Sequence, residues 1–131
     1  MPSEMLRVAP VILVRDLQAS LQYWNEKIGF SIERQFGSPV NFAMPYRGEV
    51  TLMLVQTPHG KTPPTPNWKI AGATNNAYIW VKGIDELYAE LQTRGATIDY
   101  TLYNTPWGTR EFGIQDLDEN DITFGEIIEP R

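Results

Sequence analysis

The feature that most constrains the fold is a strand-and-helix segment that occurs twice. In the first copy, an apolar strand over residues 11–14 leads into a helical period that stops at Gly29, and in the second a strand over residues 77–81 leads into a helix that stops at Gly95. Aligning Val14 with Val81 gives an offset of 67 residues (81 − 14) in a chain of 131. The helix-face residues then coincide as three pairs: Leu17 with Ile84, Leu21 with Tyr88, and Trp24 with Leu91.

Each helix is followed by three short segments of strand composition. The first half contains "FSIERQF", "VNFAMPY" and "EVTLMLVQ", and the second contains "TIDYTLY", "TREFGIQD" and "DITFGEII". This order predicts an α+β fold made of two βαβββ modules, over about residues 7–56 and 75–129, within a single domain that spans 1–131. Residues 57–74 between them hold four prolines and two glycines, which indicates a connector or a lid.

Composition narrows the classes of partner. The net charge of −5 and pI near 4.8 disfavour nucleic acid and anionic membranes and favour a cationic ligand, although surplus acidic residues also serve simply to keep a surface hydrated. No cysteine is present, which excludes thiolate chemistry. No stretch approaches the ~20 apolar residues of a membrane span, and the N-terminus lacks a signal-like pattern, so we expect a cytoplasmic protein.

Three stretches carry a family resemblance. "APVILVRDLQASLQYWNEKIGF", "WVKGIDELYAEL" and above all "PWGTREFGIQDLDEN" resemble the bleomycin-resistance proteins of the glyoxalase/vicinal oxygen chelate superfamily over nearly the whole chain. The resemblance implies curled mixed sheets around a cavity, a homodimer with acidic, aromatic grooves, and no cofactor. It also implies that the protein sequesters a cationic aromatic antibiotic, with or without chelated copper, and does not turn it over.

The superfamily also contains metal-dependent lyases, isomerases and dioxygenases. Their His, Gln or Glu ligands come from the first and fourth strands of each module, and the matching positions here are Ala9, Met53, Asn76 and Thr123. These side chains do not form a set of donors for a transition metal, so we predict neither a metal nor catalytic residues. Two alternatives stay open: a metal-free member that binds another metabolite or antibiotic, and an enzyme whose ligands lie elsewhere.

Nucleophilic catalysis has little support in the sequence. His59 is the single histidine and lies in the proline-rich connector, where a solvated side chain is the ordinary outcome. With no cysteine, no G-x-S-x-G elbow and only a loop histidine, a serine or cysteine triad has no base to use.

Six aromatic residues are candidates for ligand contact. Trp107, between Pro106 and Gly108, resembles the ring on which the family stacks flat groups of the drug. Tyr78 and Trp80 alternate on one strand and face the same side of the sheet, as core or as cavity floor. The remaining candidates are Phe42 and Phe36, which flank a predicted turn, and Trp68 in the connector.

The charged residues near the C-terminal end are assigned structural roles. Arg110 and Glu111 have opposite strand parity and are expected to be surface charges or cross-strand partners. Asp116, Asp118 and Asn120 occupy a turn that reads "DLDEN" where the family has "DPDGN", and we expect them to stabilise that turn. By its parity, Glu126 should point away from the cavity.

Overall fold

A computed structural model describes residues 2–129 as two four-stranded mixed sheets, each with one long helix, and a separate two-stranded hairpin. The helices are α1 Leu17–Glu26, α2 Asn67–Ile70 and α3 Ile84–Arg94. The strands of the first half are β1 Val11–Val14, β2 Gln35–Phe36, β3 Phe42–Ala43, β4 Tyr46–Arg47, β5 Val50–Thr51 and β6 Met53–Gln56. Those of the second half are β7 Ala77–Trp80, β8 Thr97–Asn104, β9 Thr109–Gln115 and β10 Asp121–Ile127.

The two sheets repeat one topology, as the sequence predicted. Their strand orders are β1-β6-β3-β2 and β7-β10-β9-β8, and in each sheet only the first pair is parallel. The register also repeats, because Val11 is opposite Met53 in the first sheet and Tyr78 is opposite Thr123 in the second. The α+β fold of two repeated modules is therefore confirmed.

The helix boundaries follow from local chemistry. Asp16 caps α1 by accepting a 3.1 Å hydrogen bond from the Ala19 amide, and Gly95 ends α3 with a left-handed φ of +84°. Gly83 at the start of α3 has no side chain to cap it, and the Glu126 carboxylate on β10 accepts from the Ile84 amide instead, at 3.0 Å. Glu126 therefore lies on the helix side of the sheet, as its parity predicted.

The core lies between the helices and one face of each sheet. The predicted face of α1 is buried, with Leu17, Leu21, Trp24 and Ile28 all less than 5% exposed. On the second sheet, Phe112 stacks against Phe124 at 5.3 Å and meets Tyr88 of α3 edge-on at 5.0 Å. Each fully buried large side chain of this kind contributes about 1.5–3 kcal/mol of hydrophobic free energy.

Polar contacts join the two modules. Arg47 of the β4–β5 hairpin donates two hydrogen bonds to the Glu90 carboxylate of α3, at 2.7 and 3.0 Å, and Arg94 binds the same carboxylate at 2.6 Å. These contacts lower the pKa of Glu90, with the Arg47 hydrogen bonds as the largest cause. The Tyr23 hydroxyl also donates to the Gln115 carbonyl at 2.6 Å.

The first half differs in detail from its predicted pattern. Its strands contain two to four residues, and "FSIERQF" forms a strand only at Gln35–Phe36. Its residues 33–36 are exposed, so no buried apolar face extends the pairing there. Within residues 2–129, none of the helices has the length and apolar character that a membrane crossing requires.

Candidate ligand-binding site

The Pro-Trp-Gly segment forms the tip of a tightly held loop between β8 and β9. Thr105 and Thr109 bracket it, since the Thr105 amide donates to the Thr109 carbonyl at 2.8 Å and the two hydroxyls lie 2.7 Å apart. Gly108 has a φ of +91°, which favours glycine, and its carbonyl accepts from the Ile128 amide at 3.0 Å. The Trp107 side chain is 68% exposed on this restrained backbone. The loop thus presents an indole ring at the surface.

Trp107 lies at the edge of a cavity of about 560 Å³. The cavity is built on the face of the second sheet opposite α3, with the connector and the Trp107 loop as further walls. Four aromatic side chains line it, namely Trp68, Tyr100, Tyr103 and Trp107. Three carboxylates line it as well, namely Asp99, Glu111 and Asp121, and the lining contains no lysine, arginine or histidine among the described residues.

Glu111 is the carboxylate held most firmly in this cavity. It is 6% exposed, and each of its oxygens accepts a tyrosine hydroxyl: Oε1 from Tyr78 at 3.0 Å and Oε2 from Tyr100 at 2.8 Å. The Thr109 hydroxyl donates a longer bond of 3.3 Å to Oε1. Glu111 forms no ion pair within residues 2–129, so its charge has hydrogen-bond donors but no protein counter-ion.

Two glycines make room for this arrangement. A Cβ at Gly113 would collide with the Tyr100 ring, and one at Gly125 would collide with the Tyr78 hydroxyl. Each tyrosine therefore lies across a bare strand backbone and directs its hydroxyl to Glu111. Thr123 supports the arrangement, because its hydroxyl lies 2.9 Å from that of Tyr100.

The tyrosine hydroxyls stay protonated near neutral pH. Burial raises the pKa of Tyr78, Tyr100 and Tyr103 above the ordinary value of 10.0, and the nearby Glu111 charge raises each of them further. Because protonated hydroxyls are the donors in these bonds, Tyr78 and Tyr100 remain able to hold the carboxylate across the physiological range.

Asp121 is a carboxylate of the cavity whose pKa is raised above its ordinary value. Burial raises its pKa to about 6, opposed by a 3.0 Å hydrogen bond from the Gln115 amide and reinforced by the neighbouring charge of Asp99. Asp116 contributes a smaller repulsion. The cavity therefore loses part of its negative charge in mildly acidic solution.

The connector is fixed to the second module beside the cavity. The Trp68 indole Nε1 donates to the Glu119 carbonyl at 2.7 Å, and the Lys69 ammonium pairs with the Glu119 carboxylate at 2.6 Å. The Asn67 amide also donates to the Asn76 side chain at 3.2 Å. Within the predicted connector, residues 67–70 form the short helix α2, which places Trp68 in the cavity wall.

The structure separates the other predicted aromatic residues from this cavity. Tyr78 is not part of the lining of this cavity. Its hydroxyl donates to Glu111, and its ring lies 4.7 Å from that of Trp80. Trp80 lines a different cavity, of about 700 Å³, where the two modules meet. Phe36 and Phe42 pack together at 5.7 Å on the first sheet. Within one chain, then, only Trp68 and Trp107 of the six candidates line the same cavity.

The positions that would hold a superfamily metal carry other roles. Thr123 binds Tyr100, and Met53 lies with Ala9 in a hollow on the first module. Neither Ala9 nor Met53 offers a nitrogen or oxygen side-chain donor. Among the residues that the structure describes, no group of three or more His, Cys, Asp and Glu side chains is placed to hold a metal ion.

The charged residues near the C-terminal end divide into confirmed and wrong assignments. Asp116 organises the turn as predicted, since it accepts from the amides of Asp118 and Asn120 at 2.9 and 2.8 Å. Arg110 lies on the α3 side of the sheet, where it pairs with Asp85 at 3.0 Å. Glu111 is not a surface charge, because its side chain is buried on the opposite face, but it does bind a neighbouring strand by accepting from Tyr100 of β8.

A model of the Glyoxalase/Bleomycin resistance protein/Dioxygenase superfamily matches residues 6–124 of this chain. Among curated relatives, the bleomycin resistance protein of Geobacillus stearothermophilus is 29% identical over 134 aligned residues, which cover 95% of this chain and 98% of the relative. A bleomycin resistance protein of Staphylococcus aureus matches with the same figures.

Solved structures share the fold. The bleomycin-binding protein from Streptomyces verticillus, solved with copper(II)-bleomycin, is 27% identical with a TM-score of 0.68 and covers 94% of this chain and 97% of its own. A glyoxalase-related enzyme from Clostridium phytofermentans has a TM-score of 0.73 at 19% identity and covers 96% and 98% of the two chains. The likeness to the glyoxalase-related enzyme shows a shared fold and nothing further.

Proposed function

Because the chain belongs to the Glyoxalase/Bleomycin resistance protein/Dioxygenase superfamily, we propose that it is a non-catalytic binding protein that sequesters a cationic aromatic antibiotic of the bleomycin type. The similarity to a bleomycin resistance protein and to a bleomycin-binding protein supports this class of ligand. The absence of catalysis is part of this proposal, and the cytoplasmic location stays a prediction from the sequence.

One observation carries the proposal: the lining of the cavity beside Trp107. Aromatic rings and carboxylates alternate with no cationic side chain to neutralise them among the described residues. A planar ligand gains stacking energy on such walls, and a positive charge gains from both the carboxylates and the ring faces, at about 1–2 kcal/mol for a desolvated cation on an indole. A neutral ligand would gain no charge–charge attraction from the three carboxylates, and an anionic ligand would be repelled by them.

The proposal includes a homodimer in which the first sheet of one chain helps to enclose the cavity of its partner. The first module supports it, because several apolar side chains there have no cover within the chain. Phe36 is 49% exposed, Val11 on the edge strand β1 is 64% exposed, and Met5 and Val8 on the preceding arm are more than 90% exposed. Light scattering at micromolar concentration should report twice the chain mass of 14.9 kDa, since obligate interfaces commonly bury upward of ~2,000 Å².

The test of the binding function is calorimetric titration with copper(II)-bleomycin and with metal-free bleomycin. We expect saturable binding with a dissociation constant on the order of 1 μM or tighter, together with quenching of tryptophan fluorescence. A bacterial host expressing the protein should survive drug concentrations that kill the same host carrying an empty vector. Heat-denatured protein serves as the control for adsorption, and failure to bind either form at ~100 μM would refute the proposal.

A further inference from the structure

We propose that the clamped carboxylate of Glu111 selects the kind of cation that the cavity accepts. The preferred group is an onium centre, meaning an alkylated ammonium or sulfonium with at most one N–H, and not a primary ammonium or a guanidinium. This inference rests on the proposed function of the cavity as a binding site, and it goes further by naming the chemistry of the bound charge.

The argument begins with the acceptor capacity of Glu111. A carboxylate offers about four lone-pair positions. Tyr78 and Thr109 occupy Oε1, at 3.0 and 3.3 Å, and Tyr100 occupies one position on Oε2, at 2.8 Å. One position is left, on Oε2. The Glu111 carboxylate therefore has room for a single further hydrogen bond.

Cations differ in how many acceptors they need once water is removed. A guanidinium carries five N–H donors and a primary ammonium three, and each donor left unpaired in a buried site is costly. An onium group has no N–H donor, or one, so it loses little hydration when it enters. The single open position on Oε2 suits the second kind of cation.

The other two carboxylates of the lining lie further along the sheet than Glu111. Glu111 is opposite Gly125 in the ladder, and Asp121 is four residues away from Gly125 on β10, about 13 Å along the strand. Asp99 is exposed, where water screens its charge and competes for its hydrogen bonds. Both carboxylates add attraction at longer range, whereas Glu111 determines what fits in contact.

The remaining walls suit an alkylated cation. Trp68, Tyr103 and Trp107 line the cavity around Glu111, and Tyr103 is paired with Glu111 across the β8–β9 ladder. Ring faces attract cations through their quadrupole and accept methyl groups without any hydrogen bond. Aromatic faces together with one carboxylate of limited acceptor capacity suit a cation whose charged atom is surrounded by alkyl groups.

The experiment compares three probes that share a benzyl group: benzyltrimethylammonium, benzylammonium and benzylguanidinium. Calorimetry or ligand-observed NMR on the full chain should show benzyltrimethylammonium binding about tenfold more tightly than either of the others. Equal or tighter binding of the guanidinium probe would overturn the inference. So would the absence of binding by all three probes.

Two variants locate the effect at Glu111. Glu111→Gln should weaken benzyltrimethylammonium binding about tenfold or more, while Glu86→Gln, the same charge change at an exposed position on α3, should leave it within about twofold. Tyr100→Phe frees the second position on Oε2 and should improve benzylguanidinium binding about threefold with little change for benzyltrimethylammonium. A merely structural role for Tyr100 would weaken all probes alike, so this variant decides the matter even if Glu111→Gln does not fold.

Copper(II)-bleomycin is titrated in parallel so that the two hypotheses fail separately. If the drug binds but the benzyl probes show no preference, the inference falls and the proposed function stands. If the probes show the Glu111-dependent preference but the drug does not bind, the onium site stands and the bleomycin proposal falls.

Discussion

The two modules have the same topology and register but present different chemistry on the sheet faces opposite their helices. Val11 and Met53 occupy the positions that Tyr78 and Thr123 occupy in the second module. The first module's face is apolar and partly uncovered, whereas the second holds the tyrosine clamp on Glu111. The strands differ as well, since β8 to β10 contain seven or eight residues and those of the first sheet two to four.

In both modules, the two faces of the sheet are under different constraints. Residues between helix and sheet, such as Trp24 and Leu91 at matching positions on α1 and α3, form the buried core in both modules. Residues of the opposite parity do not contribute to that core, so they are free to differ. Under the proposed function, the second module's face carries the ligand chemistry and the first module's face supplies apolar cover.

The largest expected effect comes from substitutions in the hydrophobic core that both modules build. Trp24→Ala and Leu91→Ala each remove a side chain with no exposed surface, and we expect losses of about 3–5 and 2–5 kcal/mol in the free energy of unfolding. Chemical denaturation followed by circular dichroism and by fluorescence measures both. If the modules form one cooperative unit, the two probes coincide for either variant. Separate transitions for one module would contradict a shared core.

The next prediction tests the aromatic wall of the second module. Trp107→Ala should weaken copper(II)-bleomycin binding by about ten- to thirtyfold, because the ring supplies stacking and cation–π attraction worth about 1–2 kcal/mol. The melting temperature should change little, since the side chain is 68% exposed. Trp80→Ala removes a tryptophan from the cavity between the modules and serves as the matched control. A Trp107→Ala protein that melts far below wild type yet binds normally would make the loop a packing device.

A smaller effect follows from the titration of Asp121. Its raised pKa of about 6 means that the folded protein takes up a proton there as the pH falls from 7.5 to 5, which neutralises one carboxylate of the cavity. Affinity for a permanently charged onium probe should therefore fall about three- to tenfold over that range, and Asp121→Asn should flatten the profile. The sign for stability is the reverse: because the folded pKa is raised, the contribution is present below the unfolded value of 3.8 and is lost as the pH rises through about 6.

The smallest expected effect is that of metal removal. At the positions of superfamily ligands the first module has Ala9 and Met53 and the second has Asn76 and Thr123, so chelator treatment should change neither the melting temperature nor onium binding. Elemental analysis of protein purified without chelator should find well under one transition metal per chain. About one zinc, iron, manganese or nickel ion per chain would instead favour the enzyme alternative.

Periodicity was enough to predict the repeated fold. The helix faces and the stop at Gly95 each depend on neighbours in sequence, and the structure confirms them. The short helix α2 was missed, because its position depends on Trp68 and Lys69 contacting Glu119, which lies about fifty residues further along the chain.

The site was harder to predict because its central contacts join different strands. Strand parity places Glu111 and Gly113 on the face opposite Arg110, and that signal was available. Tyr100 was not accessible in this way, since simple alternation groups it with Ile98. Register shifts on both sides of Tyr100 break the alternation, and its ring turns to the cavity face.

The bare backbone beneath the two tyrosines has an evolutionary consequence. A single methyl group at Gly113 or Gly125 would displace a tyrosine ring while every side chain that lines the cavity keeps its chemical identity. Under the proposed function, selection for a different drug therefore has an accessible first step at positions that a map of ligand contacts would omit. Deep mutational scanning under drug selection would detect it as glycine sites that are intolerant with one antibiotic and permissive with another, whereas a purely structural need for glycine would be the same with both.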